Sequence, residues 1–425
     1  MAITRRVFLK NGALAVVGTS VIPSFLTRAV YAAQTASGGA GAGLGSKRLV
    51  VLFQRGAADG LNIVVPYAEQ AYYNMRPSIA IPRPKNSGDG VIDLDGFFGL
   101  HPSMTAFKTL WDQKHLAIVH AAGSPDITRS HFDAQDYMES GTPGVKSTED
   151  GWLNRAIGQV KEAQASPFRA VAMGGSLPRT LAGSVPAVAM GDIRGFAVGG
   201  RGPGAATASN TFEAMYEQSV DTVLHGTGNE TFEAVKMLKS ADPEKYTPAE
   251  GANYPRGRFG DSLRQVAQLI KANLGVEVAF ADIGGWDHHV NEGSVQGQIS
   301  NLTREFSQAI AAFWTDLGDL GENTVVVTMS EFGRTARENG NRGTDHGHAN
   351  VMFVLGGPVR GGRVYGRWPG LQPEHLYEGR DLAVTTDFRQ VLGEAVYGHL
   401  GSKDLQKVFP GFDKGDARYF VRYLG

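Results

Sequence analysis

The residues best suited to metal chemistry lie in one polar loop between two apolar runs. The first run, 324–329, is short, β-branched and not alternating, which is typical of a strand buried on both faces of a parallel sheet. The second run is 351–355. The acid, guanidinium and imidazole groups between them are Glu331, Arg334, Asp345, His346 and His348. Because open α/β sheets bind ligands beyond the carboxyl ends of such strands, the loop predicts a site at one sheet edge.

Imidazole nitrogens and carboxylate oxygens are ligands of borderline divalent cations. Two histidines and an aspartate among glycines, in the segment 343–348, suit zinc, and a glutamate oxygen would also suit manganese or iron. Zinc is the expected metal, with manganese, iron and calcium as alternatives. A second interpretation is a solvated loop whose histidines cap nearby carbonyl groups. Taken alone, the loop leaves both interpretations open.

A second predicted strand, 276–283, also ends in residues of ligand type. The segment GGWDHH follows it, and its glycines give the backbone room to turn. Asp287 and His289 are two residues apart, so both side chains can reach one ion. A lone Asp-His-His segment is more often a surface loop, but together with the later histidines it favours a metal site.

Two further candidate groups come from the first half of the chain. The predicted strand 48–53 opens into a glycine-flanked turn that holds Arg55, a candidate oxyanion clamp, and Asp59, a candidate metal ligand. Asp-Gly is also a common turn pair. Ser130 stands at the N-cap position of a predicted helix over 131–140. The positive end of a helix dipole favours an anionic substrate and a serine nucleophile there, while capping alone is the simpler interpretation.

Composition narrows the classes of function. The 425 residues include 41 Lys+Arg and 42 Asp+Glu, a formal charge of -1, so no global field favours nucleic acid. With 0 Cys, disulfides, thiolate nucleophiles and zinc–cysteine sites are excluded. The 56 Gly and 19 Pro indicate many loops between the helices and strands. The length is sufficient for one large α/β domain with insertions.

The N-terminus predicts export. Arg5 and Arg6 precede a mildly apolar segment and a small-residue cleavage pattern, which identifies 1–32 as a twin-arginine signal peptide. The expected partner is the twin-arginine translocase and the expected location is the periplasm or another exported compartment. A permanent anchor is the weaker alternative because Gly, Thr, Ser and Pro interrupt the segment, and no membrane span is expected after cleavage. A flexible linker, 33–46, then leads to a domain over 47–425 with a candidate cap insertion at 191–250.

With these residues in hand, the chain resembles an uncharacterised family of twin-arginine-exported bacterial proteins within the alkaline-phosphatase-like, or sulfatase-like, superfamily. The motifs that carry the resemblance are RGAADGLN at 55–62, RSHFDAQDYMESG at 129–141, GGWDHH at 284–289, SEFGR at 330–334 and GTDHGHAN at 343–350. The resemblance covers nearly the whole chain after the signal. It implies a three-layer α/β sandwich around a central, mostly parallel sheet, with a binuclear metal site.

The resemblance also implies roles for single residues. Ser130 matches the nucleophile of the superfamily. The residues that match its metal ligands are Asp59, Asp287, His289, Glu331 and either His346 or His348. This chain departs from alkaline phosphatases in having Ser330-Glu331 where they have Asp-His, and without cysteine the formylglycine route of most sulfatases requires a converted serine.

The expected function is an exported metal-dependent hydrolase that acts on a small phosphate or sulfate ester. Arg55 or Arg334 would bind the anionic oxygens and Ser130 would attack. The alternative is an exported binding or assembly protein that keeps the fold, and perhaps a structural metal, without turnover. A phosphotransferase that uses an alcohol acceptor is a third, minor possibility.

Overall fold

A nine-stranded mixed sheet organises the chain. It is seen in a computed structural model, which describes residues 6–10, 13–17, 47–161, 166–193, 237–238, 245–413 and 417–425. The strands are β1 (Arg48–Gln54), β2 (Leu116–Gly123), β3 (Ala170–Met173), β4 (Val188–Met190), β5 (Val278–Ile283), β6 (Thr324–Ser330), β7 (Asn350–Gly356), β8 (Arg363–Tyr365) and β9 (Thr386–Asp387). Across the sheet their order is β8-β2-β7-β6-β1-β5-β3-β4, and β9 pairs with β2.

Strand direction explains why distant segments meet at one edge. The strands β5, β1 and β6 are parallel neighbours, with Phe280 opposite Val51 and Val326 opposite Val50. Only β7 runs against its neighbours, β6 and β2. The carboxyl ends of β1, β5 and β6 therefore lie at the same edge as the start of β7. The loop 331–349 leaves this edge and returns to it.

Both faces of the sheet are covered, which gives three layers. Every residue of β1 is buried, and its side chains alternate between two apolar cores. On one face Val50 and Leu52 share a core with helices α3 (Thr105–Asp112), α6 (Arg258–Lys271) and α7 (Gln298–Leu317). On the other, Leu49, Val51 and Phe53 share a core with α5 (Trp152–Ile157), α8 (Phe388–Glu394) and α9 (Leu405–Val408). The predicted α/β class with a central, mostly parallel sheet is confirmed.

Shorter elements complete the description. The remaining α-helices are α1 (Gly60–Ile63), α2 (Gln70–Met75) and α4 (His131–Ser140). The strands Val64–Val65, Gly99–Leu100 and Ile92–Asp93 form a separate three-stranded sheet. After α8 the chain continues as a π-helical turn, Ala395–Leu400. In the described part of the chain, no helix is long and apolar enough to cross a membrane.

The predicted leader and cap fall largely outside the described residues. Within the proposed signal peptide, Arg6–Lys10 and Ala13–Val17 pair as antiparallel strands. The linker 33–46 is not among the described residues. Of the candidate cap 191–250, only 191–193, 237–238 and 245–250 are described. The signal peptide and the cap insertion therefore stay predictions.

Candidate metal centre

Three histidine side chains meet beyond the edge where β5 and β6 end and β7 begins. His131 is the first residue of α4, His289 follows β5, and His346 lies in the loop before β7. The Nε2 atom of His346 is 3.0 Å from Nε2 of His131 and 2.9 Å from Nε2 of His289. Three elements that are far apart in sequence thus bring the same ring atom to one point.

The second nitrogen of each ring donates a hydrogen bond to a carboxylate or carbonyl oxygen, which has no proton to give back. Nδ1 of His131 donates to Oε1 of Glu331 at 2.8 Å, and Nδ1 of His289 donates to Oδ1 of Asp345 at 3.1 Å. Nδ1 of His346 donates to the carbonyl oxygen of Arg129 at 2.8 Å. In the neutral rings Nε2 then carries a free lone pair. Metal-binding histidines are oriented by this arrangement.

Asp287 adds a carboxylate to the three imidazoles. Its Oδ1 lies 3.1 Å from Nε2 of His289 and 3.5 Å from Nε2 of His346, and its Oδ2 lies 3.5 Å from Nε2 of His131. Burial alone would raise the pKa of Asp287, but the hydrogen bond from Arg334 lowers it, so the carboxylate is charged at neutral pH. His131, Asp287 and His346 by themselves form a group of metal-ligand spacing.

The donor set fits a divalent metal, and zinc best. Free lone pairs 2.9 to 3.0 Å apart repel one another unless a proton or cation lies between them. Ligand atoms about 2.0 Å from a tetrahedral zinc are roughly 3.3 Å apart, close to the spacing here. Three nitrogens and one oxygen suit zinc, manganese or iron, whereas calcium takes oxygen ligands. This arrangement does not support calcium.

One side of the centre faces solvent and the other is apolar. The side chains of Asp287 and His289 are 47% and 40% exposed, whereas those of His131 and His346 are 23% and 22% exposed. The buried ring of Phe332 lies 5.0 Å from the rings of both His131 and His346. A metal held here would be accessible from the solvent side.

Glu331 lies behind His131, where it orients the ring. It is fully buried, and its Oε1 accepts hydrogen bonds from His131, from the backbone N–H of Gly56 and from Gln135, each at 2.8 Å. Burial would raise the pKa of Glu331, but these donors lower it. The hydrogen bond between Glu331 and His131 also raises the pKa of His131. Glu331, predicted as a metal ligand, is thus placed one step behind the imidazole nitrogens.

The two candidate anion clamps have internal partners. Arg334 is buried, and it donates to the carbonyl oxygens of Ala57, Gly56, Thr344 and Trp286 and to Oδ1 of Asp287 at 2.6 Å. Arg55 donates to Asp282, Gln135 and Glu139 at 2.7 to 2.8 Å. Arg334 therefore fixes Asp287 and joins three loops, and Arg55 links β1 to α4. Both guanidinium groups bond carboxylates of the protein itself, so the structure does not assign either one to a substrate anion.

Gly56 makes the joining of these loops possible. A Cβ built on it would lie 2.8 Å from the backbone nitrogen of Asp287, and its φ is +115°. Only glycine adopts this backbone conformation readily and leaves room for the segment after β5. The turn after β1 thus supplies backbone contacts to the centre.

Asp59, predicted as a metal ligand, lies in a separate buried ion pair. Both of its oxygens accept hydrogen bonds from Arg76, and its residue is 1% exposed. Burial would raise the pKa of Asp59, but the Arg76 guanidinium lowers it. Burial and the charge of Asp59 raise the pKa of Glu292 well above its ordinary value. Asp59 is therefore not one of the groups that meet the imidazoles. Its charge is balanced by the guanidinium of Arg76 instead.

His348 and Ser130 have local partners. Nε2 of His348 contacts the carbonyl oxygen of Ser124 at 3.1 Å, and its ring packs against Tyr377 at 4.7 Å. Ser130 is the N-cap of α4, and its Oγ accepts a hydrogen bond from the backbone N–H of Asp133 at 3.4 Å. Of the two late histidines, His346 is therefore the one in the centre. The capping role of Ser130 is observed, and its role as a nucleophile stays a prediction.

His131 is not among the ligands that the sequence predicts, whereas Asp345 is one of the candidate residues named there. His131 follows the N-cap of a helix, where a histidine usually faces solvent, and only the fold shows that this helix begins beside the loop 331–349. Asp345 was visible as part of the Asp-His-Gly-His segment. Its pKa is lowered by the hydrogen bond from Asn339, and its oxygen orients His289. A histidine directly after a serine N-cap was the available signal.

By its fold and this centre, the chain is an α/β protein with a cluster of three imidazoles and one carboxylate at the end of a mostly parallel sheet. The chain belongs to the family described as "Protein of unknown function (DUF1501)", whose model matches residues 46–403. The family expected from the motifs is thereby confirmed. No curated protein matches the chain.

Several solved structures align with the chain at low identity. A sulfatase from Pseudoalteromonas sp. aligns with a TM-score of 0.35 at 12% identity, over 83% of this chain and 69% of its own. A mutant of the alkaline phosphatase PafA aligns with a TM-score of 0.31 at 12% identity, over 68% and 64%. A phosphonate monoester hydrolase from Silicibacter pomeroyi aligns with a TM-score of 0.35 at 10% identity, over 84% and 73%. All three TM-scores are below 0.5, so the alignments transfer neither an activity nor a residue role.

Proposed function

We propose that this protein is a metal-dependent hydrolase of phosphate or sulfate esters, and that one divalent ion, zinc, is held by His131, Asp287, His289 and His346. One observation carries the proposal. Three imidazole Nε2 atoms and a carboxylate converge at a solvent-facing point, and each ring is fixed through Nδ1. Zinc in catalytic sites can expand from four to five ligands, and the solvent-facing side of this centre would leave room for a substrate oxygen as the fifth.

The bound metal would supply a Lewis acid for the ester oxygens. The protein groups around it have separate tasks. Glu331, Asp345 and the Arg129 carbonyl keep the protons on Nδ1, so that Nε2 stays available to the metal. Arg334 fixes one oxygen of Asp287 and keeps the carboxylate charged. Phe332 excludes water from the inner side.

Ser130 is the proposed nucleophile. It directly precedes His131 at the start of α4, so its Cα is about 3.8 Å from that of a proposed ligand. Its Oγ accepts the backbone N–H of Asp133, and the helix N-terminus lowers the cost of negative charge on that oxygen. With Arg55 and Arg334 engaged elsewhere, the anionic oxygens of the ester would face the metal and the N-terminus of α4.

A second candidate function is a binding or assembly protein with a structural metal and no turnover. The internal partners of Arg55 and Arg334 favour it, because the guanidinium groups expected to bind the ester anion are already occupied. This candidate predicts that metal raises the melting temperature without ester hydrolysis.

Location is part of the proposal. Arg5 and Arg6 and the apolar segment after them support export through the twin-arginine translocase, which carries folded proteins. A centre assembled from α4, β5 and the loop 331–349 forms only in the folded chain, so loading in the cytoplasm before export is consistent with this route. Fusion of residues 1–46 to a reporter, with and without Arg5→Lys and Arg6→Lys, tests it.

The test of the activity compares zinc-loaded wild type with Asp287→Asn and Ser130→Ala on a panel of phosphate and sulfate monoesters. Hydrolysis that falls at least about 100-fold in both variants supports the proposal, since loss of a catalytic group has effects of this size. Loss in Asp287→Asn alone would remove Ser130 as nucleophile. Zinc binding without hydrolysis of any ester would establish the second candidate.

A further inference from the structure

Four exposed apolar side chains lie in the segments that carry the imidazoles. Phe132 is 89% exposed, Ile127 61%, Val290 51% and Val145 45%. Within the part of the chain that the structure describes, the other large apolar side chain of comparable exposure is Tyr419, at 44%. Tyr419 lies beside α8, where its carbonyl oxygen accepts a hydrogen bond from Gln390. Four of the five exposed large apolar side chains in the described residues therefore lie between residues 127 and 145 or directly after His289.

The chain fixes two of these residues directly beside the centre. Phe132 follows His131 and Val290 follows His289, so each Cα is about 3.8 Å from that of a proposed ligand. His131 and His289 both contact His346, so Phe132 and Val290 each follow a residue that meets His346.

Side-chain contacts bring the other two residues to the His131 side. Nζ of Lys146 pairs with Oδ1 of Asp133 at 2.8 Å, which ties the segment after Val145 to the first turn of α4. A Cβ built on Gly144 would lie 3.2 Å from Oδ2 of Asp126, the residue before Ile127. Ile127, Phe132 and Val145 therefore lie in neighbouring segments at the start of α4, and Val290 follows the proposed ligand in the loop after β5.

We propose that these four residues, the apolar rim, bind the alcohol part of the ester, and that the substrate is an ester of a large apolar alcohol. The inference rests on the proposed function and names its substrate class. A polar centre engages the anionic end of such a molecule, while apolar side chains at the opening remove the hydrocarbon part from water. Contiguous exposed apolar side chains around a polar site are typical of ligand binding.

The test uses matched alkyl esters, because ethyl and hexyl alcohols have nearly equal pKa values and differ chiefly in apolar area. Ethyl and hexyl phosphate, and the corresponding sulfates, are given to zinc-loaded wild type, Phe132→Ala and the control Tyr419→Ala. We expect kcat/KM to be at least about tenfold higher for hexyl than for ethyl in wild type and in the control. In Phe132→Ala this ratio should fall at least about threefold, because the largest exposed side chain of the rim is gone.

A binding measurement separates failure of this inference from failure of the proposed function. Calorimetry with ethylphosphonate and hexylphosphonate, which are not hydrolysed, should show tighter hexyl binding in wild type and a smaller difference in Phe132→Ala. If hexylphosphonate binds more tightly in this way but no ester is hydrolysed, the apolar rim is supported and the proposed hydrolase activity is overturned. Equal binding and equal hydrolysis of both chain lengths overturn the rim alone. Wild-type adsorption to phosphatidylcholine vesicles that Phe132→Ala abolishes, with no chain-length effect, overturns it in favour of a lipid surface.

Discussion

The Nε2 atoms of His131 and His346 lie 3.0 Å apart, and in the neutral rings neither carries a proton. Both protons are committed elsewhere, to Glu331 and to the carbonyl oxygen of Arg129. Two lone pairs at this distance repel, so the arrangement is stable only if a positive charge lies near both. A metal satisfies the pair without disturbing the acceptors behind the rings.

Metal content should be one divalent ion per chain, because four donor atoms complete one tetrahedral site. His346→Gln should lose most of the bound zinc, since it removes the nitrogen that contacts both other imidazoles. The matched control is His348→Gln, two residues away, whose ring contacts the Ser124 carbonyl. Plasma mass spectrometry of the purified proteins measures the zinc.

Equal zinc loss in both variants would contradict the distinction between the two histidines. Two ions per chain in wild type would contradict the single site and return Asp59 to the ligand set. A wild type that neither contains nor binds any divalent metal would remove the centre altogether.

Glu331 should act on the metal only through His131. Glu331→Gln weakens the acceptor of the Nδ1 proton and brings an amide donor toward it, so zinc affinity should fall about 10- to 100-fold, as for other groups that orient a metal ligand. Competition with a chelator of known affinity measures the change. Glu338→Gln is the control, because Glu338 accepts hydrogen bonds from Ser78 and Ile79.

An unchanged zinc affinity in Glu331→Gln would show that His131 is oriented without this carboxylate. Complete loss, beyond the stated range, would point to direct coordination by Glu331, as the sequence predicts. Recovery of affinity at higher pH in the variant would instead implicate protonation of the imidazole.

The sequence predicted the scaffold of the site better than its ligands. Short β-branched apolar runs are typical of buried strands, and the residues after β1, β5 and β6 were correctly expected at one sheet edge. Spacing did not reveal that β7 runs antiparallel, nor that α4 starts beside the loop before it. Both depend on tertiary packing. For that reason His131 was not selected.

Charge pairing across the fold is equally hidden in a sequence. Asp59 has the residue type and position of a strand-end ligand, and Arg76 is 17 positions away on the far side of α2. Nothing local indicates that the guanidinium reaches both carboxylate oxygens. A motif identifies the residue types that a site needs, whereas the partner of each side chain is set by the three-dimensional arrangement.

Breaking the buried pair of Asp59 and Arg76 should cost stability and leave zinc in place. Asp59→Asn leaves a buried guanidinium without its counter-charge, so the free energy of unfolding should fall by about 3–5 kcal/mol. Urea denaturation of the metal-free protein measures this loss. The double variant Asp59→Asn, Arg76→Met removes both charges and should recover part of it. Loss of zinc at unchanged stability would show that Asp59 is a ligand after all.

Acid should destabilise the protein between pH 6.5 and about 4 because buried histidines are held neutral. Burial lowers the pKa of His101 and of His120 to about 4. In each ring one nitrogen accepts a backbone N–H, from Ser103 or Ala121, and the other donates to a carbonyl oxygen. The neutral ring therefore satisfies every partner, and a second proton would break one hydrogen bond.

The direction in which stability changes with pH follows from the lowered pKa. Unfolded histidine takes up a proton near pH 6.5, while the folded ring resists until about pH 4. The stability that His120 contributes is therefore fully present above pH 6.5 and is lost as the pH falls toward 4. From pH 7.5 to 5.0 the loss is about 2 kcal/mol for each such histidine. His120→Gln keeps a donor for the Val64 carbonyl and cannot titrate, so its unfolding free energy should fall by about 2 kcal/mol less over this range. Urea denaturation of the metal-free proteins at both pH values tests this, and equal pH dependence in the two proteins would show that the pKa of His120 is not lowered in the fold.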